Sequence, residues 1–141
     1  MKKITVLFLA CITTCLVAKA QCDKSIKWTS SQSEFLDTAG NFQHSNAEAV
    51  TVTTTPKKIN IIRGATGEQA MSGDVTNYSC KWKDKKNGKT SFNAELVEPG
   101  GKTRHATITI EAINGKTTIL LEAPEENTKI RLNVDSFEEI K

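Results

Sequence analysis

His44 and His105 are the two side chains of this sequence whose ordinary pKa suits general acid–base work near neutral pH. Neither has a cysteine, histidine or carboxylate neighbour at metal-ligand spacing, so each reads as a solvated surface histidine. Two adjacent carboxylate pairs, Glu125-Glu126 and Glu138-Glu139, could in principle share a proton. In an extended chain neighbouring side chains point to opposite faces, which keeps such pairs apart. The sequence holds no H-E-x-x-H, C-x-x-C or G-x-S-x-G pattern and no phosphate-cradling glycine loop. No catalytic residue, metal or cofactor is therefore expected, and the chain reads as a non-enzyme.

One local charge run stands out: Lys81, Lys83, Lys85, Lys86 and Lys89, interrupted by the single acid Asp84. Such a run suits phosphate headgroups or acidic glycans. It equally suits a charged hairpin that discourages edge-to-edge strand pairing. The nearby aromatics Tyr78 and Trp82 alternate away from the lysines, which makes them core candidates and not stacking partners for nucleobases.

The N-terminus carries a targeting pattern. Lys2 and Lys3 precede an apolar run from Ile4 to Val17, and Ala18-Lys19-Ala20 offers small residues for cleavage. The expectation is a cleaved signal peptide, residues 1–20, followed by one domain, residues 21–141, exported to the periplasm or secreted. The apolar run is too short to span a bilayer comfortably, which takes about 20 residues. No transmembrane segment is expected after it. Lipid attachment is disfavoured because Gln21 precedes Cys22 and Thr14 precedes Cys15, where a small residue is wanted. Without residues 1–20, sixteen basic residues face sixteen acidic ones and the net charge is zero. A neutral chain has no overall pull toward nucleic acid. Of four cysteines, Cys22 and Cys80 remain, and in an oxidising compartment one disulfide between them is the simplest outcome.

The elements that must position these groups are strands. Ala106, Ile108, Ile110 and Ala112 alternate with Thr107, Thr109 and Glu111, then Asn114-Gly115 turns the chain. Ile119, Leu121 and Ala123 alternate next, followed after Pro124–Asn127 by Ile130, Leu132 and Val134. Upstream, Ile26 and Trp28 open a first strand, Val50, Val52 and Thr54 share a face, and Ile59 and Ile61 follow. Tyr78, Cys80 and Trp82 lie in one phase but Met71 and Val75 in the other, which predicts a bulge between Val75 and Tyr78. Asn87-Gly88 is expected to turn the chain into Phe92, Ala94 and Leu96, and Pro99-Gly100-Gly101 closes that hairpin. Threonine and serine make up 24 of the 121 residues after Ala20, as exposed strand faces favour. The whole is an all-β, antiparallel up-and-down meander of about eight strands. Short turns point to a small barrel, with a two-sheet β-sandwich as the alternative.

Trp28-Thr29 at the opening of the first strand, together with the regular hairpins over residues 24–135, resembles small exported lipocalin-like (calycin-type) β-proteins of Bacteroidetes-type bacteria. The resemblance implies a barrel, an exported location and an interior that takes a small apolar or amphiphilic ligand. On that reading Trp28, Tyr78, Trp82, Phe92 and Ile110 are the ligand-pocket candidates. The alternative is a protein-interaction or structural accessory domain of the cell envelope, with a filled core and a working outer face such as the Lys81–Lys89 hairpin. The partner is accordingly a small apolar ligand in the first case and an envelope protein in the second.

Overall fold

A computed structural model describes residues 21–67 and 69–141. The expected signal segment, with Cys11 and Cys15, lies outside the described residues.

Nine antiparallel strands follow one another: β1 (Ile26–Leu36), β2 (Phe42–Thr54), β3 (Lys58–Arg63), β4 (Gln69–Asp84), β5 (Asn87–Val97), β6 (Thr103–Ile113), β7 (Lys116–Ala123), β8 (Thr128–Asn133) and β9 (Ser136–Glu139). Each pairs with the next from β1 to β8, giving the up-and-down meander. β1 then closes the ring. Its Ser33–Leu36 half pairs with β8 and its Ile26–Thr29 half with β9, so the barrel has eight staves, the last in two pieces. Closure removes the edges that a sandwich would leave open. The loops at 37–41, after Arg63, at 98–102 and at 124–127 gather at what we call the upper end. The turns at 55–57, 85–86 and 114–115 gather at the lower end.

The alternating apolar residues form the interior, as side-chain period two requires. Ile26, Trp28, Val50, Val52, Ile59, Ile61, Phe92, Leu96, Ile108, Ile110 and Ile119 are all buried in one cluster. Each such side chain is worth about 1.5–3 kcal/mol of transfer free energy. The two tryptophan N–H groups are satisfied inside: Trp28 Nε1 donates to Thr54 Oγ1 at 3.0 Å and Trp82 Nε1 to Thr90 Oγ1 at 2.7 Å.

The expected bulge lies between Thr76 and Ser79, where the β4–β5 register shifts and Asn77 adopts φ 52°. It moves Tyr78, Cys80 and Trp82 into the phase that faces the interior. Asn114-Gly115 forms the expected turn, with φ of 51° and 83°. The Asn87-Gly88 turn is corrected. The chain reverses at Lys85-Lys86, Asn87 already pairs with Asp84, and Gly88 pairs with Trp82 inside the ladder. The reason is packing: a Cβ on Gly88 would lie 2.3 Å from the Trp82 ring, so this glycine makes room for an indole.

β3 stops opposite Asp74, so beyond Val75 β4 has a partner on one side only. The segment before β1 covers that gap. Cys22 is disulfide-bonded to Cys80, with Cα atoms 5.8 Å apart, and the Asp23 backbone N–H donates to the Tyr78 hydroxyl. Burial, first of all, raises the Tyr78 hydroxyl above its ordinary pKa. Closing a loop of 58 residues is worth about 4 kcal/mol in the chain-entropy picture.

Candidate functional site

The barrel interior is the first place to look, because the sequence put its pocket candidates there. Trp28 stacks on Trp82 with ring centroids 6.4 Å apart and meets Phe137 at 5.2 Å, while Tyr78 stacks on Phe92 at 6.3 Å. Ile110 is buried beside them in the same cluster. These five candidates are thus brought together, but onto one another. A cavity of about 30 Å³ lies among the inward side chains, lined by Val50, Val52, Ile59, Ile61, Ile108 and Ile119 among others. None of the five lines it, whereas Tyr78 and Trp82, with Cys22, Cys80 and Lys81, line an open depression of about 330 Å³ on the outside of the barrel. Ligand pockets run to about 300 Å³ and more, whereas 30 Å³ holds about one water.

At the upper end polar side chains enter the barrel mouth. The bulge in β2 opposite Ser30–Gln32 turns Glu48 inward. Glu48 Oε1 accepts from Ser33 Oγ at 2.6 Å and from Arg63 Nη2 at 2.7 Å. Burial pushes the Glu48 carboxyl up, but hydrogen bonds from Arg63 and Ser33, with the Arg63 charge, outweigh it and hold the group below its ordinary value. Above this pair an open groove of about 380 Å³ is lined by Arg63, Gln69, Met71, Glu98 and Arg104, among others. Arg104 is clamped by Glu98 at 2.5 Å and Glu126 at 2.6 Å. Each guanidinium at this mouth already has its carboxylate, so the groove has little charge left to offer an anion. Sequence reasoning missed these residues, because Glu48 and Arg63 stand fifteen positions apart and meet only in the ring.

The histidines sit apart on β2 and β6. His44 stacks on Phe35 with centroids 4.6 Å apart, on the hairpin that joins β1 to β2. His105 Nδ1 lies 3.1 Å from Glu125 Oε1 on the exposed face. Among the described residues no group of three or more His, Cys, Asp or Glu could hold a metal ion. No helix among them is long and apolar enough to cross a membrane.

The lower end carries the lysine run. Lys81, Lys83, Lys85, Lys86 and Lys89 are all exposed, and Lys81 stands directly opposite Lys89 across the β4–β5 ladder. Asp84, the acid within the run, is occupied by the turn. Its Oδ1 accepts the Lys86 backbone N–H at 2.7 Å and Asn87 Nδ2 at 3.3 Å. The Lys86 bond first of all, then the Asn87 bonds and the Lys83 charge, hold its carboxyl below the ordinary range. Glu111 is beside Lys89 in the β5–β6 register, yet among the described residues the five lysines make no ion pair. The β6–β7 turn is tied to this hairpin: Gly115 N–H donates to the Lys86 carbonyl at 3.0 Å and Asn114 N–H to Asn87 Oδ1 at 3.1 Å. That brings Ile113, 59% exposed, and exposed Lys116 onto the same tip. No protein-family model, curated protein or solved structure matches this chain.

Proposed function

We propose that residues 21–141 form an exported, non-enzymatic accessory domain of the cell envelope that works through its outer surface. The observation that carries this reading is the packed interior, where the cavity among the inward side chains is about 30 Å³ and the aromatic rings stack on one another. The Cys22–Cys80 disulfide is in keeping with an oxidising, exported location. The test is native mass spectrometry of the protein purified from its own host without denaturation. A single mass equal to that of residues 21–141 with the disulfide formed is expected. A reproducible extra mass, released on unfolding, overturns the reading and makes the protein a carrier.

The carrier reading draws on one observation. Arg63 lines both the upper groove and the small inner cavity, so it stands between them. A small amphiphile would set its acidic head at Arg63 and its apolar end among Ile59, Ile61 and Ile108. It would have to displace Glu48 and push apart a packed core, which costs more than either contact returns.

A further inference from the structure

We propose that the lower-end tip is a docking surface for phosphate-bearing membranes, with the lysines of the β4–β5 hairpin and Lys116 facing the headgroups and Ile113 entering the interface. The proposal rests on the outer-surface reading above and names which surface works.

Three observations carry it. The first is charge without compensation. Residues 81–89 hold five lysines and one acid, and that acid closes the turn. Elsewhere Lys24, Lys27, Lys58, Lys102 and Lys129 each have a carboxylate partner, while Lys57 and Lys141 stand singly and Glu111 is the one further acid opposite the run, across from Lys89. Since residues 21–141 are neutral in sum, the tip is a local pole on an uncharged molecule. A polyanion is therefore met by this face and not by the protein as a whole.

The second is that edge protection explains only part of the run. Lys81 and Lys83 lie where β4 has lost its β3 neighbour, and lysines there do guard an open edge. Lys89 lies on β5, paired on both sides, and needs no guard. Placing it opposite Lys81 sets like charges face to face, an arrangement that weakens a ladder. Lys85 and Lys86 sit in the turn itself.

The third is shape with an apolar tooth. Ile113 pairs with Lys116 at the end of the β6–β7 hairpin, beside Lys86, and is more exposed than Phe42, Val97 or Ile140. A tip with one exposed apolar side chain, Lys116 opposite it and the lysine hairpin alongside fits the interface of an anionic bilayer, where apolar burial and headgroup attraction add.

The experiment is vesicle co-sedimentation of the protein expressed from its full chain, using phosphatidylcholine vesicles with and without 30% phosphatidylglycerol as probe. Binding is expected only with the anionic lipid, and it weakens as salt rises. Each lysine near the surface is worth about a fivefold change in partitioning. The Lys83→Gln/Lys85→Gln/Lys86→Gln/Lys89→Gln variant should then bind at least a hundredfold less, while the same four changes to arginine retain binding. Ile113→Ser should lower binding several-fold and leave the salt dependence intact. An unchanged melting temperature in each variant excludes misfolding as the cause. Equal binding to neutral vesicles, or full binding by the glutamine variant, overturns the proposal. So does a soluble acidic polysaccharide that binds as tightly and is indifferent to Ile113→Ser, which would make this a glycan surface. No vesicle binding together with a clean native mass defeats this assignment and leaves the outer-surface reading standing. An extra native mass defeats that reading itself.

Discussion

At the upper end of the barrel Arg63 is held by Glu48, and Arg104 by Glu98 and Glu126. At the lower end five lysines of one hairpin make no ion pair among the described residues, and a disulfide and a stack of aromatic rings contribute to the holding. The two ends thus divide their work differently. Charge is structural above, where it enters the barrel mouth and must be matched. Below, the Cys22–Cys80 disulfide and the aromatic stack join the surface ion pairs of Lys24, Lys27 and Lys58, and the lysines of the hairpin stay on the surface. The hairpin lysines differ from Lys24, Lys27, Lys58, Lys102 and Lys129, each of which has a carboxylate partner, by standing together in one run.

The largest expected effect tests the lower end. Replacing Cys22 and Cys80 by serine should cost up to about 4 kcal/mol and lower the melting temperature by roughly 10–20 °C, read by thermal circular dichroism. A loss of only a degree or two would mean that the segment before β1 is held without the bond. Next comes Gly88→Ala, expected to cost about 1–3 kcal/mol because the new methyl must displace the Trp82 ring, read from urea unfolding. At the upper end Glu48→Gln leaves Arg63 without its counter-charge and should cost about 1–3 kcal/mol. If it costs nothing, the contrast between the ends fails.

Acid provides a separate probe of that contrast. The Glu48 carboxyl is held below its ordinary value in the fold, so its contribution is complete above the ordinary glutamate range and is lost as pH falls through the lowered value. Stability should decline below about pH 4, with Asp37 and Asp84, both also held low, sharing the decline. In Glu48→Gln the acid slope should become shallower; an identical slope would remove Glu48 from the account. The smallest effect belongs to the lysines. Lys81→Glu turns a like-charge pair opposite Lys89 into an attractive one, and should stabilise by about 0.2–1 kcal/mol in urea titrations. A destabilised Lys81→Glu variant would show that the run supports the fold after all.

Much of the barrel was legible because alternation is a local property. Ala106–Ala112, Ile119–Ala123 and Val50–Thr54 each announce an inner face, and the phase change between Val75 and Tyr78 announces the bulge. Three things were not legible. The upper half of β2, Phe42–Ala47, is exposed on both faces and so has no pattern to show. β9 is four residues long, with a single inward ring at Phe137. Asn87-Gly88 has turn composition but serves a packing need set by Trp82, six residues away in sequence and directly opposite in the ladder. The five ligand-pocket candidates were placed in the interior by their phase, yet whether an interior is hollow depends on the summed volume of all inward side chains, which no local pattern reports. The lysine run needed no folding to be seen; its lack of partners did.

β1 is shared between β8 and β9, and this has a consequence for how the chain reaches its shape. The contacts that complete the ring join residues far apart: Glu34 to Arg131 across 97 positions and Lys24 to Glu139 across 115. Until the final strand emerges, β1 has a bare edge, and the entropy of bringing the two termini together must be met before that edge is covered. Topologies of this kind fold on the slow side, in milliseconds to seconds. A chain whose first and last strands have not yet met has no finished barrel, however many of its hairpins have formed. Late closure thus makes the joining of β1 to β8 and β9 the step that turns a row of hairpins into a ring.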